Sequence, residues 1–143
     1  MSSYAFERIL VPIDGSEGAH HALRCALALA QRLGSELTAL AVEGRLPAYA
    51  ASIGEVEEVK REKDAFFARV LEDARVEATA RGLDLHTDLA AGHTAEIITR
   101  YARDHHHDLI VIGYRGHFLG DYLLGSTADR VAHHAHCPVM VVR

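Results

Sequence analysis

Polar and apolar positions along the chain alternate with two different periods, and the switches between them mark the elements. The short apolar run Ile9 to Val11 ends at Pro12 and the turn cluster Asp14-Gly15-Ser16, a strand followed by a break. Leu23, Ala26, Leu27, Ala30 and Leu33 then recur at helical spacing, which predicts an amphipathic helix capped near Ser16 or Asp14 and stopped by Gly34. "ELTALAV", Glu36 to Val42, is apolar on both faces and reads as an interior strand. The segment Glu43 to Glu55 has no period and reads as a connection. Val56, Val59, Phe67, Val70, Leu71, Ala74 and Ala78 form the apolar face of a long helix running to about Arg81 and ended by Gly82.

"LDLHTDL", Leu83 to Leu89, alternates strictly, as a strand with one wet face does, and is an edge candidate. Ile97, Ile98, Tyr101 and Ala102 mark a third helix. A strand at Leu109 to Ile112, a helix from Ser126 to His134 and a strand at Val139 to Val142 complete the chain. Strands separated by helices of this length build right-handed βαβ units, hence an α/β domain with a parallel sheet covered on both faces. Ligands of such sheets bind beyond the carboxyl ends of the strands, where the strand order reverses. Asp14, Val42 and Gly113 all stand at such ends.

Composition removes several alternatives. The chain has 143 residues, 49% of them hydrophobic and 24% charged, enough for one domain with its own core. A net charge of −5 argues against a nucleic-acid surface. No run approaches the roughly 20 apolar residues of a membrane span, and the start lacks the pattern of a signal peptide. Cys25 and Cys137 are the only cysteines and sit in apolar surroundings, so two buried free thiols in a reducing cytoplasm are expected. The eleven histidines include the runs His105-His106-His107 and His133-His134-His136. Neither run has a carboxylate-supported i, i+4 pair, so solvated side chains rather than a metal site are expected.

The candidate chemistry lies in "IGYRGHFLGDYLLGST", Ile112 to Thr127, which carries four glycines after a strand and opens a helix. Backbone N–H groups free of Cβ crowding, backed by a helix N-terminus, suit a phosphate. The dinucleotide spacing GxGxxG is absent. Gly120-x4-Gly125-Ser126-Thr127 approaches the P-loop pattern, but Ser126 stands where that pattern needs a lysine. From the residues alone, a phosphate loop and a plain connector both remain open.

"VPIDGSEGA", "DLIVIGYRG", "LLGSTADRV" and "HAHCPVMVVR" occur in this order over essentially the whole chain and resemble the universal stress protein domain family. The resemblance implies one domain over residues 1–143, Rossmann-like and akin to the adenine nucleotide alpha-hydrolases, with a five-stranded parallel sheet in the order 3-2-1-4-5. It implies ATP at the carboxyl ends of the strands, with Mg2+ or Mn2+ accompanying the nucleotide, and a homodimer formed through Val139 to Val142. ATP-binding members carry Gly-x2-Gly-x9-Gly-Ser or Gly-x2-Gly-x9-Gly-Thr. Here eight residues, His117 to Leu124, separate Gly116 from Gly125, one fewer than that pattern. One residue reaches up to ~3.5 Å.

Carried over by resemblance, Asp14 meets the nucleoside and Val42 the base. Ile112 and Gly113 border the ribose, and Gly116, Gly125, Ser126 and Thr127 cradle the phosphates. Arg115, inside the loop, could neutralise phosphate charge. Simpler roles stand beside these: a turn residue for Asp14, core for Val42 and a helix N-cap for Ser126. No catalytic base or metal-ligand set emerges, so at most a slow ATPase is expected. The resulting expectation is a cytoplasmic, ATP-binding stress-response regulator or nucleotide-dependent binding module. Its alternative is a dimeric interaction protein of the same fold that binds no nucleotide.

Overall fold

The structure, a computed structural model, describes residues 5–44, 53–114 and 124–143. Five strands and four helices alternate: β1 (Arg8–Pro12), α1 (Glu17–Leu33), β2 (Glu36–Glu43), α2 (Ile53–Ala80), β3 (Leu85–Ala91), α3 (Thr94–Asp104), β4 (Leu109–Gly113), α4 (Ser126–His134) and β5 (Val139–Val142). All strand pairings are parallel, in the order β3-β2-β1-β4-β5. The expected fold class and strand order are therefore found. The chain runs outward from β1 to β2 and β3, then crosses back to place β4 on the other side of β1.

Strand alternation divides the core in two. Ile9, Val11, Leu37, Ala39 and Ala41 face α1 and α2, where Leu27, Leu71 and Ala74 meet them. Leu10, Leu40, Val42, Ile110 and Ile112 face α3 and α4, against Ile98, Ala102 and Val131. β1 and β4 are buried on both faces, as apolar runs in a parallel interior must be. Ser16 Oγ accepts from Ala19 N–H at 3.2 Å and caps α1. Gly34 ends α1 at φ +70°, donating its N–H to Ala30 O at 2.9 Å.

Four expectations change. β3 begins at Leu85 rather than Leu83. Gly82 takes φ +73° and Leu83 N–H returns to Ala78 O at 2.9 Å, so Leu83 serves the end of α2. Leu33, expected on the apolar stripe of α1, is the last residue of that helix and 50% exposed. Cys25 and Cys137 are free, as expected, but only half-buried. Burial, then Asp108, pushes the Cys137 thiol up to about 11, which makes it a poor nucleophile near neutral pH.

The histidines are the fourth correction. His105 to His107 lie beyond the end of α3, with His106 at φ +58°. His107 is not solvated: it is 3% exposed, and its Nδ1 is buried with no hydrogen-bond partner. Its backbone N–H donates to Ala102 O at 2.8 Å, which pins the residue under the sheet. Burial, then the Arg8 charge, pushes its pKa down to about 4.

Candidate functional site

At the carboxyl ends of the strands, between the two halves of the sheet, lies a cleft of about 320 Å³. It stands over β1 and β4, where the chain's progression across the sheet reverses. That is where open parallel sheets leave a crevice, because the helices following adjacent strands go to opposite faces. Its volume is at the small end of the roughly 300–1,000 Å³ usual for small-molecule sites.

Of the sequence-predicted residues, Asp14, Val42, Ile112, Gly113, Gly125, Ser126 and Thr127 all line this one cleft. Arg115 and Gly116 lie outside the described residues, as does most of the segment whose length departs from the family pattern. Leu40, Val42, Ile98 and Ile112 give the cleft apolar walls, and Asp14 is exposed at its mouth. Asp14 Oδ1 accepts from Ser16 N–H at 2.9 Å. The turn role and a position at the cleft are thus both met, one carboxylate oxygen serving the turn.

Three helices begin around the cleft, and they differ in how their first N–H groups are satisfied. α1 is capped by Ser16. α4 has Gly125 at its N-cap and no side-chain cap bond, so Ser126 is the first helical residue and not the cap. The first intrahelical bond, Asp129 N–H to Gly125 O at 2.9 Å, leaves the N–H groups of Ser126, Thr127 and Ala128 without an intrahelical acceptor. α3 likewise has His93 at its N-cap with no side-chain bond, and Thr94, its first residue, lines the cleft. Uncapped N-termini carry partial positive charge and attract anions.

Two of the glycines that line the cleft also serve the fold. Gly125 N–H donates to Tyr114 O at 2.8 Å and is therefore already taken within the protein. A Cβ on Gly113 would lie 2.7 Å from Gly18 O and 2.8 Å from Gly18 C. Gly113 is glycine because the first turn of α1 packs directly on the end of β4. Sequence reasoning also missed Ser16, Ala19, Leu40, Thr94 and Ile98 as lining residues. Thr94 was readable: Gly92-His93-Thr94 follows a strand at its carboxyl end and opens a helix.

The charge inventory is spare. Among the described lining residues Asp14 is the one carboxylate, and there is no Lys, Arg, His or Cys. No group of three or more metal-ligating side chains occurs among the described residues. The nearby Glu43, at the end of β2, belongs to the other face of the sheet. Its carboxyl is pushed up by a hydrogen bond with Asp64, then by burial, and Lys60 Nζ stands 3.9 Å from its Oε2. This cleft can bind an anion with an apolar moiety, and no poised nucleophile stands among its described lining residues.

The universal stress protein family model matches residues 5–143. A universal stress protein of Bacillus subtilis is 31% identical over 147 residues, covering 96% of this chain and 99% of the relative. The solved universal stress protein of Lactobacillus plantarum superposes with a TM-score of 0.87 at 30% identity, covering 96% of this chain and 98% of that one. Two further structures share the fold at lower identity. One is a universal stress protein in complex with cAMP, with a TM-score of 0.76 at 23% identity, covering 97% of this chain and 98% of that one. The other, from Arabidopsis thaliana with AMP bound, has a TM-score of 0.69 at 19% identity, covering 94% of this chain and 90% of that one.

Proposed function

This chain belongs to the universal stress protein family, and from that premise we propose that its cleft binds an adenine nucleotide, with ATP as the ligand. The observation that carries the proposal is the uncapped start of α4, where three N–H groups and the hydroxyls of Ser126 and Thr127 stand at the edge of an apolar cleft. Phosphate accepts from those donors and is drawn by the helix dipole. The adenine ring packs between Val42, Leu40 and Ile98, and the ribose hydroxyls meet the second oxygen of Asp14. The AMP and cAMP held by two relatives of this fold agree with that choice of ligand class.

The phosphates lie against Ser126, Thr127 and the Ala128 N–H, with Gly113 acting as a packing residue beside the ribose. Gly125 fixes the loop rather than donating to the ligand. Gly116 and Arg115 complete the phosphate side. Mg2+ or Mn2+ bound with the triphosphate would offset part of its charge. The function is nucleotide binding and release with at most slow hydrolysis, by a nucleotide-dependent regulatory module acting in the cytoplasm. No helix among the described residues is long and apolar enough to cross a membrane.

The protein acts as a homodimer through β5. Pro138 and Val142 direct their carbonyls at β4, so Val139 and Val141, alternating with them, turn their backbone groups to the open edge. A second copy of the strand satisfies that edge.

Calorimetric titration with ATP plus Mg2+, beside AMP, tests the proposal. Micromolar binding is expected, weakened about tenfold in Ser126→Ala or Thr127→Val, the size of one hydrogen bond to a charged group. Absence of binding at millimolar nucleotide, from folded and nucleotide-free protein, would hand the cleft to the interaction-module reading.

A further inference from the structure

Behind the cleft, on the α1–α2 face of the sheet, lies a second cavity of about 350 Å³. Leu23, Phe66, Val70 and Ala74 line it, and the His20–Glu77 hydrogen bond, 2.9 Å between Nε2 and Oε2, closes one edge. Ile13, Ser16 and Ala19 line both cavities. The segment joining β1 to α1 is therefore a thin partition between them.

That partition is tied to the sheet at its start and to α1 at its end. Ile13 N–H donates to Leu40 O at 2.9 Å, which anchors its start. Beyond that point its hydrogen bonds among the described residues run within the turn or into α1, none to the sheet: Ser16 N–H to Asp14 Oδ1, Ala19 N–H to Ser16 Oγ and His20 N–H to Ser16 O. Gly15, at φ +85°, has its open side turned to α2, where a Cβ would lie 2.9 Å from Phe66 Cζ and 3.2 Å from Val70 Cγ2. Phe66 is 45% exposed and meets Phe67 edge-on at 5.2 Å between centroids. Its ring tip stands where a Cβ on this left-handed glycine would come, and so limits where the turn can go.

We infer that Phe66 is a positioning residue for the cleft, bracing the Asp14–Ser16 turn from the opposite face of the sheet. That the braced turn presents Asp14 to an adenine nucleotide rests on the proposed function. The bracing itself does not, since it is a property of the ligand-free protein. The mechanism is entropic: a turn already held in the binding geometry loses less freedom when the ligand arrives.

The test uses the full chain with Phe66→Ala, the conservative Phe66→Leu and, as a control, Val76→Ala. Val76 is exposed on the same helix. Backbone 15N relaxation without ligand reports the order of Gly15 and Ser16, and calorimetry with ATP plus Mg2+ reports affinity. In Phe66→Ala the order parameters of both amides fall and affinity drops about fivefold, as freeing one residue predicts. Phe66→Leu recovers most of both, and Val76→Ala changes neither. An unchanged turn in Phe66→Ala, with or without altered affinity, overturns the inference. If the parent protein binds no nucleotide, the proposed function fails, while the relaxation data still decide whether Phe66 braces the turn.

Discussion

Single residues here are set by neighbours distant in the chain. Gly113 was singled out for the ribose and Gly125 for phosphate, and each also serves the fold: one makes room for the backbone at Gly18 and the other donates to Tyr114 O. Ser126 and Thr127, which follow Gly125, retain the free donors. His107 makes the same point on the far side of the sheet: nothing in "HHH" distinguishes the one imidazole that Ala102 and the sheet bury. Its consequence is measurable. The folded state holds its pKa at about 4, below the 6.5 of an unfolded histidine, so above pH 6.5 both states are neutral there. As pH falls from 6.5 towards 4 the unfolded state takes up a proton that the folded state refuses, and stability is lost. Urea unfolding at pH 7 and pH 5 should show a loss on the order of 1 kcal/mol from this group. His107→Phe should reduce the difference by that amount, and an unchanged pH dependence would show that His107 is not the group responsible.

At the scale of elements, α4 and β5 were legible to the residue, because a polar start after glycine and a closing apolar run leave little choice. β3 was displaced by two residues because the end of α2 recruits Leu83, a tertiary use of an apolar residue that alternation cannot distinguish from a strand position. The packing of α1 on β4 gives a direct check. Gly113→Ala should destabilise by about 1–3 kcal/mol, the cost of overpacking, since the new Cβ meets backbone that cannot swing aside. An unfolding midpoint equal to that of the parent would place the need for glycine in ligand approach instead. The open edge of β5 gives another. Val141→Pro removes an outward N–H without touching a bond to β4, a substitution edge strands accept. Light scattering is expected to find a folded monomer where the parent is a dimer, and a dimeric variant would move the interface elsewhere.

For the whole molecule, the doubly wound order of a five-stranded sheet decides where a ligand can bind before any residue of the site is considered. The βαβ rhythm and the carboxyl-end positions of Asp14, Val42 and Gly113 were enough to locate the cleft from the sequence. What pattern reading missed is the contribution of elements far apart in the chain: Thr94 from the start of α3, and the second cavity that shares a wall with the first. Both depend on the two sheet faces being brought within a few residues of each other at the β1–α1 turn. The central claim is that a nucleotide sits over β1 and β4 with its phosphates at the start of α4. Backbone amide shift mapping during titration with ATP plus Mg2+ tests it most directly. The account predicts the largest shifts at Ser126, Thr127 and Ala128, with Asp14 and Gly113 following, and saturation at micromolar concentration. Shifts confined to the α1–α2 cavity, or none up to millimolar nucleotide, would contradict it.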